Sequence, residues 1–538
     1  YNYLALRDTL EASWTFRTDG DTEVVLAGLV THGTSFLERM EGMWAIALWD
    51  DRERELLLTR DRLGKKPLYF QSARQGFACA SELPALRRLG LGHFHEDLDS
   101  TADYLRYGFF MPGTTAYRDV REVLPGHLLR WRPDGETYQR AYWTLPIEPS
   151  SCTRNDAKDR LRDLLEHAVA KRMVADVEVG AFLSGGIDSS LIVAIMANRL
   201  GIRPKTFSMG FSDPTFDERQ YARLMSATCR TEHFEECMSV WDRDLLERLL
   251  TDHVGQPFYD VSLLPTAMVS ELAARHVKVA LSGDGGDELF SGYQRYQARA
   301  LLRWYSRLPA PLRKAGEGLV HKLPEPTAHH SRSLLKKAQL FVAAAEREGA
   351  TATYVAPLLY SEQEFANLAP ELMGRGHTPP NLPQETRLDD IKQMMVADAL
   401  VYLPQDVLLK VDRASMAYSL EVRAPFLDHH LVEFAFSLPR RFHRHGYAGK
   451  RLLRSGMSDL LPRQLWGRRK QGFGVPVHQW LAGEMGRELE QLAAQSDSPV
   501  ANQPVMDLLA AHRTGRRDNS ARLWNLYVYY LFHAHGLT

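Results

Sequence analysis

The seven residues Ser184-Gly185-Gly186-Ile187-Asp188-Ser189-Ser190 carry the strongest chemical signal in the chain. They follow the apolar run Glu178-Val179-Gly180-Ala181-Phe182-Leu183 and open a segment, residues 189–200, with helical patterning. A strand–loop–helix junction of this kind suits an anion. Glycines let backbone N–H groups approach a ligand closely, and a helix N-terminus offers unpaired donors and the positive end of a dipole. Ser184, Ser189 and Ser190 add hydroxyl donors. Asp188 beside a phosphate calls for a divalent cation between them. No G-x-x-x-x-G-K-[ST] is present, which disfavours a Walker-type phosphoryl transferase.

A second loop, Ser282-Gly283-Asp284-Gly285-Gly286-Asp287-Glu288, follows the apolar run Val277-Lys278-Val279-Ala280-Leu281. Open α/β sheets bind ligands at the carboxyl ends of their strands. If both loops sit at that edge, Asp188 and Asp287 can share magnesium that bridges phosphates, and Tyr293 can reach the same cleft. Forming an acyl-adenylate from ATP requires cations at the α-phosphate, where charge develops. The candidates are Arg413, in Lys410-Val411-Asp412-Arg413-Ala414-Ser415-Met416, and Lys470, in Arg469-Lys470-Gln471-Gly472-Phe473-Gly474. Taken alone, each reads as a surface charge; company with the two loops raises them.

The elements that must hold these residues fall into two patterns. Residues 1–145 read mainly as β-structure: Met43-Trp44-Ala45-Ile46-Ala47-Leu48-Trp49, Leu56-Leu57-Leu58-Thr59, Pro67-Leu68-Tyr69-Phe70 and Phe77-Ala78-Cys79-Ala80 are strand candidates separated by polar turns. This spacing predicts an antiparallel meander, and continuous apolarity predicts burial on both faces. A covering helix is predicted over residues 22–37. Residues 143–155, with two prolines and a polar cluster, read as a linker, placing a boundary near 148. Beyond it, strands alternate with helices, which predicts a parallel sheet covered on both faces. Residues 295–400 read as helices without clear strands.

Bulk properties bound the answer. The chain has 538 residues, enough for two to four domains, and Lys+Arg 66 against Asp+Glu 67 leaves a net charge of −1. That balance lacks the footprint of a nucleic-acid binder. Cys79, Cys152, Cys229 and Cys237 form no C-x-x-C pair and fit no zinc ribbon; reduced thiols in a cytoplasmic protein are expected. No apolar run approaches the ~18 residues needed to span a membrane.

At these motifs the chain resembles the glutamine-hydrolysing asparagine synthetases. Residues 184–190 are similar to the family's S-G-G-x-D-S-S pyrophosphate loop, and residues 282–288 with Tyr293 to its S-G-x-G-x-D-E…G-Y element. Residues 412–428 resemble its R-x-S-M-x-x-x-x-E-x-R-x-P-F-L-D element, and Lys470 its late lysine. Upstream, residues 60–69 and Ala80-Ser81-Glu82 resemble the glutaminase half. The resemblance implies an N-terminal αββα stacked-sheet glutaminase domain, incomplete here, over residues 1–147. It also implies a parallel-sheet PP-loop ATP pyrophosphatase domain over residues 148–538. The activity implied is amidation of aspartate through β-aspartyl-AMP, using glutamine-derived ammonia, ATP and Mg2+.

By the same resemblance Leu183, Met209, Ser282 and Gly283 contact the nucleotide, alongside Ser184, Gly185, Gly186, Ser189, Ser190 and Tyr293. Asp188 and Asp287 bind magnesium, Asp284 serves the adenylate step, Glu288 and Glu421 hold aspartate, and Asp21 grips the amino group of glutamine. Some relatives carry Glu at the position of Asp284, whose shorter arm would alter the geometry slightly. The family's N-terminal Cys nucleophile would precede Tyr1. The polypeptide as given is therefore expected not to hydrolyse glutamine, while free ammonia drives the synthetase half. The partners expected are small molecules, with no nucleic acid and no membrane, and a homodimer is allowed for. Two other readings compete. One amidates a different carboxylate, a sugar uronic acid or a cyclising peptide or β-lactam precursor, which the retained Asp21 argues against for the cyclases. The other is a nucleotide-binding regulator without turnover.

Overall fold

A computed structural model describes residues 1–538 except 214, 239–240, 297–304, 306, 310, 315, 317–340, 343–357, 379–387, 445–447, 468–474 and 536–538. Lys470 and most of the helical segment expected over 295–400 therefore lie outside the described residues.

The N-terminal half holds two antiparallel sheets. Strands β1 (Ala45–Asp50), β2 (Glu55–Arg60), β3 (Tyr69–Ala73), β4 (Gly76–Ala80), β5 (Arg121–Glu122), β6 (His127–Trp131) and β7 (Thr137–Ala141) divide as β1-β2-β6-β7 and β4-β3-β5. Side chains alternate across a strand, and β2 uses both faces. Leu58 packs with Leu68, Val123 and Leu129 between the sheets, joined by Phe70 and Phe77. Leu57 packs outward with Leu10, Val24 and Phe36, from helices covering the first sheet. Helix Leu83–Leu89 covers the second sheet. The order is thus helix, sheet, sheet, helix.

Three expectations need correction here. The meander holds only within the hairpins, because β2 pairs with β6 across the inserted second sheet. The apolar run at 43–49 is not buried on both faces: β1 is an edge strand, and Trp49 is 45% exposed. The predicted covering helix is also shorter, Asp21–His32, stopped by Gly33 at φ 63, which a glycine adopts without a Cβ clash.

The C-terminal half is built on five strands, β8 (Val179–Phe182), β9 (Lys205–Phe211), β10 (Glu232–Met238), β11 (Val279–Leu281) and β12 (Glu421–Arg423). Their order is β10-β9-β8-β11-β12, and every pairing is parallel. Val179 and Ala181 of β8 and Val279 and Leu281 of β11 face a core shared with helices Arg154–Arg172, Ile187–Asn198, Arg219–Cys229 and His429–Ser437. Phe207, Met209 and Phe211 of β9 and Ala280 of β11 face the opposite core, with helices Leu263–Ala274, Leu409–Met416 and Ser520–His535. Strands buried on both sides read as continuous apolar runs, which is why β8, β9 and β11 are visible in the sequence. The edge strand β10, Glu-His-Phe-Glu-Glu-Cys-Met, is not.

The two halves share an apolar core, to which Leu83, Leu86, Tyr104 and Phe110 from one and Phe207, Leu263 and Trp524 from the other belong, and polar contacts across it gather around an ion pair buried in the N-terminal half. Arg60 Nη1 lies 2.5 Å from Glu122 Oε1, with the two side chains 1% and 3% exposed. Arg60 also donates to the carbonyls of Lys66 (2.7 Å), Val123 (3.0 Å) and Gly64 (3.0 Å). From the other half Gln405 Nε2 donates to Glu122 Oε2 at 2.6 Å. Lys66 pairs with Asp412 at 2.9 Å and Arg413 with Glu82 at 2.9 Å. Removing one partner of a buried pair leaves an uncompensated charge. Glu122→Ala is accordingly expected to destabilise the protein by about 3–5 kcal/mol, read as a lower midpoint in urea unfolding. An unchanged midpoint would show that Arg60 is compensated by its carbonyl acceptors alone.

Candidate active site

Strands β8 and β11 are neighbours in the sheet although β9 and β10 intervene in the chain. Successive strands run outward on one side of β8 and on the other side of β11. The gap between them is therefore the switch point, where connections leave in opposite directions and open a crevice at the carboxyl edge. Both glycine loops start there, one after Phe182 and one after Leu281.

The loops touch each other through positions that tolerate no side chain. A Cβ on Gly283 would lie 2.8 Å from the Ser189 nitrogen, and one on Gly286 would lie 2.5 Å from Asp188 Cγ. Gly185 has φ 68, and a Cβ there would sit 2.4 Å from Tyr221 Cβ. Within the first loop the Ser184 and Ser189 hydroxyls are 3.1 Å apart, and Gly186 N–H donates to Ser184 Oγ at 3.3 Å. Helix Ile187–Asn198 begins at Gly186, with no side chain capping its first N–H groups. A helix start of this kind can accept an anion.

Asp188 and Asp287 converge on one cation, the ammonium of Lys450. Lys450 Nζ contacts Asp188 Oδ2 and lies 2.6 Å from Asp287 Oδ1. All three side chains are largely buried. Lys450 is held from several directions. Its N–H donates to the Phe290 carbonyl at 2.8 Å, and its φ of 55 places it in the left-handed region, at the start of helix Arg451–Gly456. Ser291, opposite, also has φ 55. Such conformations in residues with side chains persist where the surroundings fix them, and they concentrate at functional sites. A Cβ on Gly292 would lie 1.8 Å from Asp287 Oδ1 and 2.4 Å from Lys450 Cε. Lys450 escaped the sequence reading. Ala448-Gly449-Lys450-Arg451 lacks any phosphate-loop spacing, and only the fold carries it to the strand tips.

Other sequence candidates distribute unevenly. Ser282 Oγ donates to Asp284 Oδ2 at 2.7 Å, and Ser282 N–H to the Arg423 carbonyl at 2.9 Å, so the second loop is tied to β12. Tyr293 donates to Glu288 Oε1 at 2.5 Å. Leu183 is 0% exposed and Met209 4%, so both side chains belong to the core. Asp21 stands in the other half, exposed in the first turn of its helix. Arg413 points away from the loops into its ion pairs with Asp412 and Glu82. Glu421 accepts from Arg423 Nε at 2.6 Å, and Arg423 Nη1 donates to the carbonyls of Arg172 and Val174, both at 2.8 Å. The structure thus brings Asp188, Asp284, Asp287, Glu288 and Tyr293 together and leaves Arg413, Glu421 and Asp21 elsewhere.

A further polar group borders the second loop. Lys410 Nζ lies 2.7 Å from Asp260 Oδ2, and its charge is felt by Asp406 and Asp284. Burial alone would lower Lys410, but Asp260 and Asp406 outweigh it and keep the ammonium charged. Burial, helped by the Asp260 charge, pushes Asp406 up to about 7. Asp406 sits on π-helical turns over Asp398–Leu408 that contain Pro404. Proline cannot donate to the α-helical ladder, and π turns recur at functional sites.

Two carboxylates sharing one cation at a phosphate-binding edge fit a divalent metal. Magnesium is commonly held by one or two carboxylates together with substrate phosphates. Among the described residues no cluster of three or more His, Cys, Asp or Glu side chains forms a protein-only metal cage, and none is needed for that mode.

With this geometry in place, comparison with known proteins is decisive. The family model described as asparagine synthase matches residues 160–534, and that described as a glutamine amidotransferase domain matches residues 1–143. The chain belongs to the asparagine synthase family. It is 31% identical to asparagine synthetase [glutamine-hydrolyzing] 1 of Bacillus subtilis over 99% of this chain and 84% of that protein. It is 35% identical to a putative asparagine synthetase [glutamine-hydrolyzing] of Mycobacterium tuberculosis over 99% of this chain and 83% of that protein. A protein of Gibberella zeae named amidase chry2 is 24% identical, over 92% of this chain and 79% of its own length. The family membership makes the chain an ATP-using ligase with an amidotransferase half. Among the described residues no helix is long and apolar enough to cross a membrane.

Glu288 offers a pH test of this site. Burial first, then the Asp287 charge, raises its carboxyl from the ordinary range to about 7. The folded protein therefore keeps this proton up to about pH 7, whereas the unfolded chain releases it near its ordinary pKa. Its contribution to stability is lost as pH rises through that window. In magnesium-free protein, Glu288→Gln is expected to lessen the fall in urea midpoint between about pH 5 and about pH 8. An equal fall in both proteins would place the titrating group elsewhere.

Proposed function

We propose that the chain joins ATP to the side-chain carboxylate of aspartate, releasing pyrophosphate, and that ammonia then displaces AMP to give asparagine. Ammonia, free or released from glutamine by the amidotransferase domain of which residues 1–147 form part, is used by the synthetase half, residues 148–538. The observation that carries this reading is the meeting of Asp188, Asp287 and Lys450 between the two loops at the switch point.

In the first step a carboxylate oxygen of the acceptor attacks the α-phosphorus, and the bond to the β-phosphate oxygen breaks. Charge builds on the departing pyrophosphate. The N–H groups at the start of helix Ile187–Asn198 and the hydroxyls of Ser184, Ser189 and Ser190 receive it. Lys450 supplies a fixed positive charge at the same point. Magnesium held by Asp188 and Asp287 would offset the phosphate charge when bound. Ser282 and Gly283 approach the nucleotide from the facing loop, with Leu183 and Met209 beneath it. Asp284, oriented by Ser282, borders the Lys410–Asp260 pair, and that side of the crevice takes the acceptor together with Glu288. In the second step the nitrogen of ammonia attacks the acyl carbon, AMP leaves, and a proton is released. Lys470 remains a proposed contact to the α-phosphate, and Asp21 to glutamine.

A second reading keeps the adenylation and changes the acid, and the similarity to a protein named as an amidase favours carrying it. ATP–pyrophosphate exchange separates the two. Exchange that depends on aspartate is expected; exchange only with another carboxylic acid would replace aspartate in the reading. With ammonium as the nitrogen source, Lys450→Ala is expected to lower AMP formation at least ~100-fold. Asp188→Asn is expected to abolish it through loss of a metal ligand. Near-normal AMP production in both variants would remove the cluster from the chemistry. Gly292→Ala, which drives a methyl group into Asp287 and Lys450, should mimic Lys450→Ala while leaving both side chains present.

A further inference from the structure

Beyond the nucleotide crevice, a hollow of about 260 Å³ opens where the linker between the halves passes the start of helix Arg451–Gly456. Three arginines line it from three separate segments. Arg154 is the first residue of the 19-residue helix Arg154–Arg172, Arg441 belongs to helix Arg440–His443, and Arg451 opens its own helix. Phe442 and Leu452, both buried, form an apolar wall. Arg451 Nη1 donates to the Arg441 carbonyl at 2.8 Å, which fixes two of the segments to each other.

The charge in this hollow is unbalanced. Nearby arginines are paired: Arg440 with Asp389 at 3.8 Å, and Arg162 and Arg199 with Asp459 at 2.8 and 2.9 Å. Among the described residues no carboxylate lies within 4.0 Å of the side-chain nitrogens of Arg154, Arg441 or Arg451. The start of the Arg154–Arg172 helix adds the positive end of its dipole, while its capping box uses Thr153 and Asp156 internally. Guanidinium groups recognise phosphate through paired N–H donors with a geometry that ammonium lacks. The volume sets the size of the ligand. Pockets for drug-sized molecules run from ~300 to 1,000 Å³, so this one suits a compact anion.

We propose that the hollow is a binding site for a small phosphorylated anion, of the size of pyrophosphate or a short phosphomonoester, distinct from the nucleotide crevice. The site is one residue from the machinery, because Arg451 follows Lys450 directly. An anion held there anchors the start of the helix that presents Lys450 to Asp188 and Asp287. Binding at the hollow does not depend on the adenylation reading.

Inorganic pyrophosphate is the probe. Calorimetric titration of the full chain at constant ionic strength is compared with the Arg154→Gln/Arg441→Gln double variant and with Lys450→Ala. The expected result is a class of pyrophosphate sites that the double variant weakens at least ~10-fold and Lys450→Ala leaves in place. Equal binding in wild type and double variant, or binding lost only in Lys450→Ala, would overturn the proposal. If the crevice does not bind phosphates at all, the arginine-dependent class persists alone, which separates failure of the adenylation reading from failure of this one. The double variant should keep the wild-type urea midpoint. Arg154→Lys/Arg441→Lys preserves charge and packing, and it should restore part of the affinity if the double variant is less stable.

Discussion

Asp188 and Asp287 sit at the tips of adjacent strands, close enough to share one ammonium, and this is the constraint on which the site depends. Two buried carboxylates at such a distance repel strongly where the effective dielectric is low, and one of the two tends to take up a proton. Lys450 resolves the conflict by standing between them. To do so it adopts a left-handed backbone, next to Gly292 and opposite Ser291, where any added Cβ would collide. The glycines at 283, 286 and 292 are therefore not general flexibility; each admits a specific approach of one loop to another. The sheet order does the rest, since only the β8–β11 neighbourhood leaves both loops at one crevice.

What the sequence made legible follows from where the information lies. Strands buried on both faces announce themselves as apolar runs, and their glycine loops by composition, so β8, β9, β11 and the two loops were readable. Edge strands are not, because one side faces water or a helix end: β10 is mostly polar, and β1 looks central in sequence yet sits at a sheet border with Trp49 exposed. Arg413 carried a reasonable chemical argument, a cation near a phosphate loop in the chain, but it turns to Glu82 and Asp412. Lys450 carried none, and among the described residues it is a cation that reaches both carboxylates. The difference is tertiary. Charge at a site is set by which helix start the fold delivers, and no local spacing encodes that.

The seam between the halves is an apolar core that also holds buried polar groups. Arg60, Glu122 and Gln405 form one connected group, and Lys66, Asp412, Arg413 and Glu82 another. Removing charges from water is costly, and such pairs add little stability compared with apolar packing. What they do fix is register, because a guanidinium and a carboxylate satisfy each other in few geometries. Gln405 and Glu122 join the amidotransferase half to the helix wall of the synthetase half at one defined point.

That wall explains how one element can serve both halves. Along Asp398–Leu408, the residues Asp398, Tyr402 and Asp406 recur every four positions, and so do Val401 and Gln405. In a helix with close to four residues per turn, each set forms a stripe. The first stripe meets Arg295, Tyr296 and the Asp260–Lys410 group beside the second loop. The second meets Phe109 and Met111 through Val401, and Glu122 through Gln405, all in residues that precede the linker. Pro404 lies beside the second stripe and removes a backbone donor, which favours the wider turn. The group beside the second loop and the amidotransferase half thus meet neighbouring faces of a single distorted helix, and Tyr402 reaches across to Phe109.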